Sequence, residues 1–300
     1  MIEISEKYLK ELRTVGQGDG SLADIAYSAL ILASLDRPGI LFQKYQHHLK
    51  ILTLDVGGAK LASNSAVDRA KLLISVLHDH HEYAGNEDYY EDLQNANLMS
   101  VIDTRKGLPV SLGILYMHAA RSQGWHVEGL HFPFHFLIRL SGKDLSSDGQ
   151  VIMDPFNGGK ILEARDLRAL LHKYSEEGAE LRPAYYEAIP DREILVRLLN
   201  NIKIRCLKVS DLGQAINILE RLVMIDPHQA QHHYELGMLW AHVKQNDLAY
   251  ESLTYCLAHI DEFKQNDLVE QQVINTLLDL DKQEAESQKN NILKLPEIDR

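Results

Sequence analysis

The sequence predicts an α+β fold followed by an all-α region, and three observations lead to this prediction. Residues 1 to about 95 carry helical periodicity. An apolar helix over 109–123 is then followed by three strand-like runs, at 127–130, 134–140 and 151–154. After about residue 190 the apolar spacing is purely helical and includes an internal repeat. A helix followed by consecutive strands is typical of the α+β class.

The composition is that of an ordinary globular protein with an acidic balance. The chain has 300 residues, of which 45% are hydrophobic and 25% charged, and its net charge is −12. Such a charge disfavours binding to nucleic acid or to anionic membrane surfaces. The start of the chain lacks a basic, then apolar, signal pattern, and no run approaches the length of a membrane span. We therefore expect a cytoplasmic protein.

The N-terminal region predicts three helices. The segment Ser21–Asp24 caps an apolar helix over 25–33, and Pro38-Gly39 ends it. Further helices are predicted over 42–54 and 66–77. The polar stretch 78–92 is expected to be an exposed helix end and connection.

The helix over 109–123 is apolar on nearly every side, which is typical of a buried central helix. Pro109 suits its first position and Gly124 its C-terminal cap. Turns are predicted at 144–150 and 157–159.

The chain is expected to divide into two domains. Residues 1–175 hold the helical region and the α+β core, and an acidic, proline-containing linker covers 176–192. Residues 193–282 hold the helical repeats, and 283–300 form a polar tail.

The repeat has the period of a tetratricopeptide (TPR) unit. Ala215 and Ala249 are 34 residues apart, each in a similar local sequence. Large, small and proline positions of the pattern are filled by Leu199, Leu219, Leu222, Pro227, Leu236, Gly237, Trp240, Leu253 and Cys256. The two cysteines, Cys206 and Cys256, are expected to be reduced and buried.

Taken together, several motifs resemble those of the SirB-type transglutaminase-like/TPR family. The residues that carry the resemblance are Asn97, Arg105–Leu112, Gly124, Pro133–Phe136 and Asp154–Gly159. The resemblance implies a papain-type transglutaminase core, and bacterial members are often described as regulators. One position departs from the family pattern, because Phe134 stands where a glycine usually precedes the histidine.

The resemblance also implies where a catalytic triad would lie, and the nucleophile is missing. In active relatives a cysteine at the helix start works with a histidine and an aspartate, which correspond here to His135 and Asp154. The cysteine position is Pro109. Ser111 is the weak candidate for a replacement, but two residues rotate about 200° around a helix, so it is expected to face away from the groove. Asn97, Arg105, Phe134 and His135 are candidate groove residues.

Three hypotheses remain for the retained pair. If residues 134–140 form a strand, His135 lies on the face opposite Phe134 and Phe136, within reach of Asp154 on the next strand. The pair could then fix two strands together, line a ligand or peptide groove, or catalyse a reaction.

Two other groups of residues invite a functional interpretation. His78 could share a helix face with His81 or Glu82 and bind a metal, but a solvated polar face is the preferred interpretation. We expect no metal site and no cofactor. Tyr234 and Trp240 are expected to pack between the repeats or to line a peptide-binding surface.

The sequence therefore supports two functional hypotheses. The first is a non-catalytic protein of interaction or regulation with an unidentified protein or peptide partner. The second is a hydrolase or acyltransferase that uses His135 and Asp154 with an unconventional nucleophile. The missing cysteine favours the first, and the oligomeric state stays open.

Overall fold

A computed structural model describes residues 2–20, 22, 24–143, 149–174, 179–263 and 266–292. The chain divides into two units, Met1–Arg205 and Cys206–Arg300. The first unit contains helices and a sheet, and the second contains helices in its described part. No described helix is both long enough and apolar enough to cross a membrane.

Eight α-helices begin in the described part of the first unit. They are α1 (Ile2–Gln17), α2 (Ile25–Leu35), α3 (Phe42–Gly58), α4 (Ala66–Leu73), α5 (Leu98–Thr104), α6 (Pro109–Arg121), α7 (Ala164–Tyr174) and α8 (Asp191–Lys208). The predicted cap of α2 is confirmed at Asp24, whose carboxylate accepts hydrogen bonds from the backbone N–H groups of Ala26 and Tyr27. Ser21 and Ala23, also placed in that cap, lie outside the described residues.

The sheet of the first unit is an antiparallel arrangement of five strands. They are β3 (Val127–Leu130), β4 (Ile138–Ser141), β5 (Gln150–Asp154), β6 (Lys160–Leu162) and β7 (Ala188–Ile189), in the spatial order β6-β5-β4-β3-β7. Two further short strands, β1 (Ala84–Gly85) and β2 (Lys106–Gly107), pair in parallel. The predicted strands at 127–130 and 151–154 are confirmed, whereas the one expected from residue 134 begins only at Ile138.

The predicted helix over 66–77 changes type along its length. The α-helix ends at Leu73 and continues as a π-helix, Ile74–His80. The expected exposed connection over 78–92 was wrong in part, because Tyr83 is completely buried and β1 lies within the stretch. The polar composition of this stretch suggested exposure to solvent, but several of its polar side chains hydrogen-bond to buried partners.

Helix α6 occupies the centre of the first unit. All of its residues are buried except His118 and Arg121. The chain leaves the helix through Gly124, whose φ is +70°. Gly113 lies directly against the ring of Phe136, so a Cβ at this position would overlap the ring. The expectation of a buried central helix is confirmed.

The described part of the expected linker, 179–192, contains ordered structure. β7 hydrogen-bonds to β3, and a 3-10 helix over Pro183–Tyr186 precedes it. The side chains of Tyr185 and Tyr186 pack against an apolar cluster formed by Leu130, Phe132, Leu137, Leu167 and Leu171. The boundary between the two units lies after Arg205, within α8.

Two residues at the start of α8 hold distant parts of the first unit together. Asp191 receives two hydrogen bonds from the Arg121 guanidinium, at 2.6 and 2.9 Å, and one from the backbone N–H of Leu22 at 3.4 Å. The guanidinium of Arg192 donates to the carbonyls of Gly16 and Gly18. The end of α1 is thereby anchored to α8.

The second unit contains α9 (Leu212–Ile225), α10 (Ala230–His242), α11 (Asn246–Ala258) and α12 (Asn266–Ile292), each in contact with the next. Ala215 and Ala249 are fully buried. Both cysteines are reduced and buried, and burial raises the pKa of Cys256 to about 11. α12 continues to Ile292, past the expected start of a polar tail at 283.

The close approach of Gly113 to Phe136 makes a prediction about stability. Replacing Gly113 with Ala adds a methyl group inside a packed core, and we expect the free energy of unfolding to fall by about 1–3 kcal/mol. The control is Gly58→Ala at the end of α3, where no atom lies within 4 Å of the added methyl group. This control should be neutral or up to about 1 kcal/mol stabilising. Urea denaturation of both variants measures the difference, and equal stabilities would contradict the prediction.

Candidate functional site

The first residue of α6 lies on the face that packs against the sheet. Pro109 begins the helix, where its lack of an N–H costs no hydrogen bond. Gly113 and Tyr116 follow it at spacings of four and seven and therefore share its face. Gly113 meets Phe136, and Tyr116 packs against Gly159. The face that starts with Pro109 thus contacts the two segments that carry His135 and Asp154.

His135 and Asp154 form a buried hydrogen-bonded pair, as the sequence predicted. The distance between Nε2 of His135 and Oδ1 of Asp154 is 2.8 Å, and the two residues are only 4% and 2% exposed. Among the described residues, Nδ1 of His135 has no hydrogen-bond partner. The ring of Phe156 contacts the imidazole edge-on, with 5.9 Å between ring centroids.

Asp154 stays ionised although it is buried. Burial alone acts to raise the pKa of its carboxyl, but the hydrogen bond and charge of His135 and the hydrogen bonds from Asn157 outweigh burial and lower the pKa. The Asn157 side chain donates to Oδ2 at 2.6 Å, and the backbone N–H groups of Phe156 and Asn157 donate to Oδ1. Hydrogen bonds therefore hold both oxygens of the carboxylate.

The segment before β4 corrects the strand expected at 134–140. Phe134 has a φ of +61°, and the N–H of His135 donates to the carbonyl of Pro133 at 2.8 Å. This is a γ-turn of the rarer positive-φ kind. Strand alternation therefore does not apply: His135 and Phe136 are both buried, while Phe134 is 62% exposed. The positive φ also accounts for the glycine that the related family usually has at this position.

Arg197 supports the turn from α8. Its guanidinium donates to the carbonyl of His135 at 2.8 Å and to that of Phe132 at 3.3 Å. Burial lowers the pKa of Arg197. Sequence reasoning missed this residue, since nothing in the sequence links it to a turn some 60 positions earlier. Asn157 was also missed as a site residue, although its position could have indicated the role. An asparagine three positions after an aspartate that ends a strand can turn back and hydrogen-bond to it.

Ser111 faces away from the pair. It is fully buried, and its hydroxyl donates to the carbonyl of Asn95 at 2.8 Å. Its proton is therefore directed to the backbone and not to His135.

Asn97 and Arg105, expected in the groove, have structural roles elsewhere. Asn97 caps α5 by accepting from the N–H of Ser100, and its amide donates to the carbonyl of Ala33. Arg105 ends α5 with a φ of +63° and donates to Nε2 of His48 at 2.9 Å. The grouping with His135 was therefore wrong, because both side chains are already held by nearby helices.

The histidine cluster makes contacts that its spacing did not predict. Nδ1 of His78 lies 3.0 Å from the carbonyl of Tyr83, away from the other histidines. Nε2 of His81 instead lies 2.8 Å from Oδ2 of Asp55 on α3, and His80 lies beside it. The metal-binding alternative, in which His78 shares a helix face with His81 or Glu82, does not occur, because the π-helix changes the angular spacing of the residues.

A polar cleft adjoins the His135–Asp154 pair. Its volume is about 440 Å³, and it is lined by His78, Gly85, Asn86, Lys106, Phe156 and Asn157, among others. Phe156 and Asn157 both contact the pair directly. A ligand in this cleft would therefore be separated from the pair by a single layer of side chains.

Tyr234 and Trp240 lie half-buried within the second unit. The hydroxyl of Tyr234 donates to Oε1 of Gln272 at 2.6 Å, and its ring contacts Phe263. Trp240 packs against the apolar cluster that includes Leu253. Both side chains contribute to packing between helices.

Residues 43–200, more than half of the chain, match the family model described as "Transglutaminase-like superfamily". A "UPF0162 protein" of Xylella fastidiosa is 32% identical over 57% of this chain and 61% of its own length, so the chain covers less than two thirds of that relative. A "UPF0162 protein" of Vibrio cholerae is 24% identical over 68% of this chain and 74% of its own length.

Two other similarities are more limited. Mouse "F-box only protein 21" is 31% identical over 42% of this chain, which corresponds to 20% of the mouse protein. A crystal structure of menin matches 90% of this chain and 74% of its own, at 9% identity and a TM-score of 0.39. That score is too low to support an argument.

The left-handed backbone at Phe134 predicts a difference between two substitutions. Both Phe134→Gly and Phe134→Ala remove an exposed ring, but only glycine adopts a positive φ without steric cost. We expect the glycine variant to be about 1 kcal/mol more stable than the alanine variant. Denaturant midpoints measure this, and an alanine variant of equal or greater stability would show that the turn is not strained.

The lowered pKa of Asp154 predicts a pH-dependent contribution to stability. A carboxyl whose pKa is lower in the folded state stabilises the protein fully above its unfolded pKa, about 4, and loses this contribution as pH falls further. Asp154→Asn should cost about 1.5–3 kcal/mol at pH 7, and the difference from wild type should shrink at pH 3.

Urea denaturation at the two pH values makes the comparison. The control is Asp88→Asn at an exposed position, which should change stability by less than about 0.5 kcal/mol at either pH. A difference for Asp154→Asn that stays constant down to pH 3 would contradict the assigned ionisation.

Proposed function

Because the chain belongs to the transglutaminase-like superfamily, we propose that its first unit is a non-catalytic module that acts in protein interaction or regulation. One observation carries the proposal: Pro109 occupies the helix start where the superfamily resemblance implies a catalytic cysteine, while the His135–Asp154 pair is retained. The finer assignment, to a SirB-type protein with TPR-like repeats over 193–282 in the cytoplasm, is part of the same proposal.

The loss of the cysteine removes the chemistry of the triad. A thiol at a helix N-terminus beside an imidazole has a lowered pKa and is a nucleophile at neutral pH. Proline offers neither a nucleophile nor a backbone donor. Ser111 does not replace it, because its hydroxyl is hydrogen-bonded to Asn95. The imidazole of His135 has then no group to activate at this helix start.

The retained pair has a structural role in this proposal. His135 lies in the γ-turn before β4 and Asp154 ends β5, so their hydrogen bond connects two segments of the sheet. A buried polar group that loses its partner costs about 1–3 kcal/mol. The pair therefore remains useful to the fold without catalysis.

The cleft beside the pair is the proposed contact site for a partner. Asn86, Lys106 and Asn157 offer amide and ammonium groups there, and Glu87 and Asp88 add carboxylates. Such a lining suits a polar protein or peptide segment. The net charge of −12 disfavours nucleic acid. The occurrence of a similar region within a much longer mouse protein supports a module that is combined with other domains.

A hydrolase or acyltransferase with an unconventional nucleophile is the second candidate. The observation that favours it is Nδ1 of His135, which has no hydrogen-bond partner within the described ranges. Phe134 does not cover the imidazole, since its ring is exposed. This hypothesis requires that wild-type protein turn over an ester or amide substrate and that His135→Gln abolish the activity.

Restoring the cysteine tests the first proposal. In Pro109→Cys we expect a thiol pKa below the ordinary value of about 8.5 and alkylation by iodoacetamide at pH 7 at least about tenfold faster than in Ser111→Cys. The Ser111→Cys control places a thiol two residues away on the other face of the same helix. Adding His135→Gln to Pro109→Cys should remove the rate advantage. Wild type, which carries only the two native cysteines, gives the background labelling rate.

The two functional hypotheses give different results. Fast, histidine-dependent alkylation of Pro109→Cys without wild-type hydrolase activity is the expected result. Equal alkylation rates in the two cysteine variants would contradict a triad-like geometry at Pro109. Wild-type turnover that His135→Gln abolishes would contradict the non-catalytic role.

A further inference from the structure

Three side chains elsewhere in the first unit form a group suited to a metal ion. They are Asp55 on α3 and His80 and His81 at the end of the π-helix, and their potential ligand atoms all lie within 4.8 Å of one another. We propose that this group binds a divalent first-row transition metal ion. The inference is independent of the proposed function at Pro109.

The backbone is arranged to bring two consecutive histidines to one place. Neighbouring residues of an α-helix point about 100° apart, which would separate their side chains. Here the N–H of His81 donates to the carbonyl of Val76 in a five-residue π-turn, and the next residue, Glu82, has a φ of +61°. π-helices and positive φ values at non-glycine residues are both uncommon and concentrate at functional sites.

The donor set matches the chemistry of a transition metal. Two imidazole nitrogens and one carboxylate suit zinc, cobalt, nickel or ferrous iron, whereas magnesium and calcium prefer oxygen ligands alone. Three protein ligands leave at least one coordination position for water or another molecule. His80 is exposed, so that position is open to solvent.

The distances require only small movements on binding. Zinc–ligand bonds of about 2.0–2.1 Å place tetrahedral ligands roughly 3.3 Å apart. Nε2 of His81 and Oδ2 of Asp55 are 2.8 Å apart and need to separate by about half an ångström. The metal takes the place of the hydrogen between these atoms, and neutral His81 then carries its hydrogen on Nδ1. The exposed side chain of His80 supplies the third ligand after rotating toward the ion.

His48 lies next to the group but is not a ligand. Its ring is 5.6 Å from that of His81, yet its Nε2 faces the hydroxyl of Tyr83 at 2.8 Å and Arg105 at 2.9 Å. These two contacts already occupy Nε2 of His48.

The test uses the full chain without a histidine tag, after treatment with a chelator. Cobalt is titrated and followed by visible absorption, and zinc binding is measured by calorimetry. We expect one ion per chain, with zinc displacing cobalt and no competition by magnesium. Asp55→Asn and His80→Gln should each weaken zinc binding at least about tenfold, as expected for loss of a ligand. The control is His131→Gln at an exposed histidine, which should bind as wild type.

The role of Asp55 separates a built site from simple chelation by adjacent histidines. If Asp55→Asn binds zinc as tightly as wild type, the proposal is overturned, and so it is if wild type binds no zinc. Thermal unfolding gives an independent measure. Zinc should raise the melting temperature of wild type and of His131→Gln, but not of Asp55→Asn, because the ligands come together only in the folded chain. Asp55 and His80 are not buried, so both variants are expected to fold.

Discussion

The first unit depends on the nearly complete burial of α6. Because apolar side chains cover nearly the whole helix, every element around it must fit its surface. Phe136 fits against Gly113, the turn at Gly159 fits against Tyr116, and the carbonyl of Asn95 receives the hydroxyl of Ser111. Close packing of this kind tolerates little change in side-chain volume. The positions of His135 and Asp154 follow from these contacts, since Phe136 and Gly159 belong to the same two segments.

Local signals made α6 predictable, since an all-round apolar pattern with proline at its start indicates a buried helix. The His135–Asp154 pair was expected from the order of motifs in the family resemblance. The strand geometry expected for it was wrong, because His135 lies in a turn before β4. The γ-turn at Phe134 was not predictable from residue type, because phenylalanine rarely adopts a positive φ. β7 was also hidden, since two residues in an acidic stretch give no periodicity.

Non-local partners explain the remaining differences. Arg197 reaches the carbonyl of His135 from α8, and Asp55 reaches His81 from α3. In both cases the partners are separated by 26 or more positions, and neither residue stands in a recognisable motif. A sequence pattern records which residues are present. It does not record which of them the packing of helices brings into contact.

In the proposed non-catalytic role, the proline at the helix start removes the nucleophile without disturbing the fold. Proline is favourable at the first position of a helix, so Pro109 leaves the start of α6 intact. In the proposed non-catalytic role, stability alone is enough to keep the His135–Asp154 pair, because an unpaired buried carboxylate or imidazole is costly. The energetics of burial can therefore maintain this geometry without catalysis.

The anchoring of the end of α1 by α8 imposes an order on biosynthesis. Leu22 is 169 positions from Asp191, and Gly16 is 176 positions from Arg192. At translation rates of about 5–20 residues per second, the N-terminal helices leave the ribosome roughly 10–30 s before these partners exist. The end of α1 therefore lacks its contacts with α8 while the sheet is still being synthesised. The first unit reaches its final state only when residues beyond 192 have emerged, so its folding is completed late.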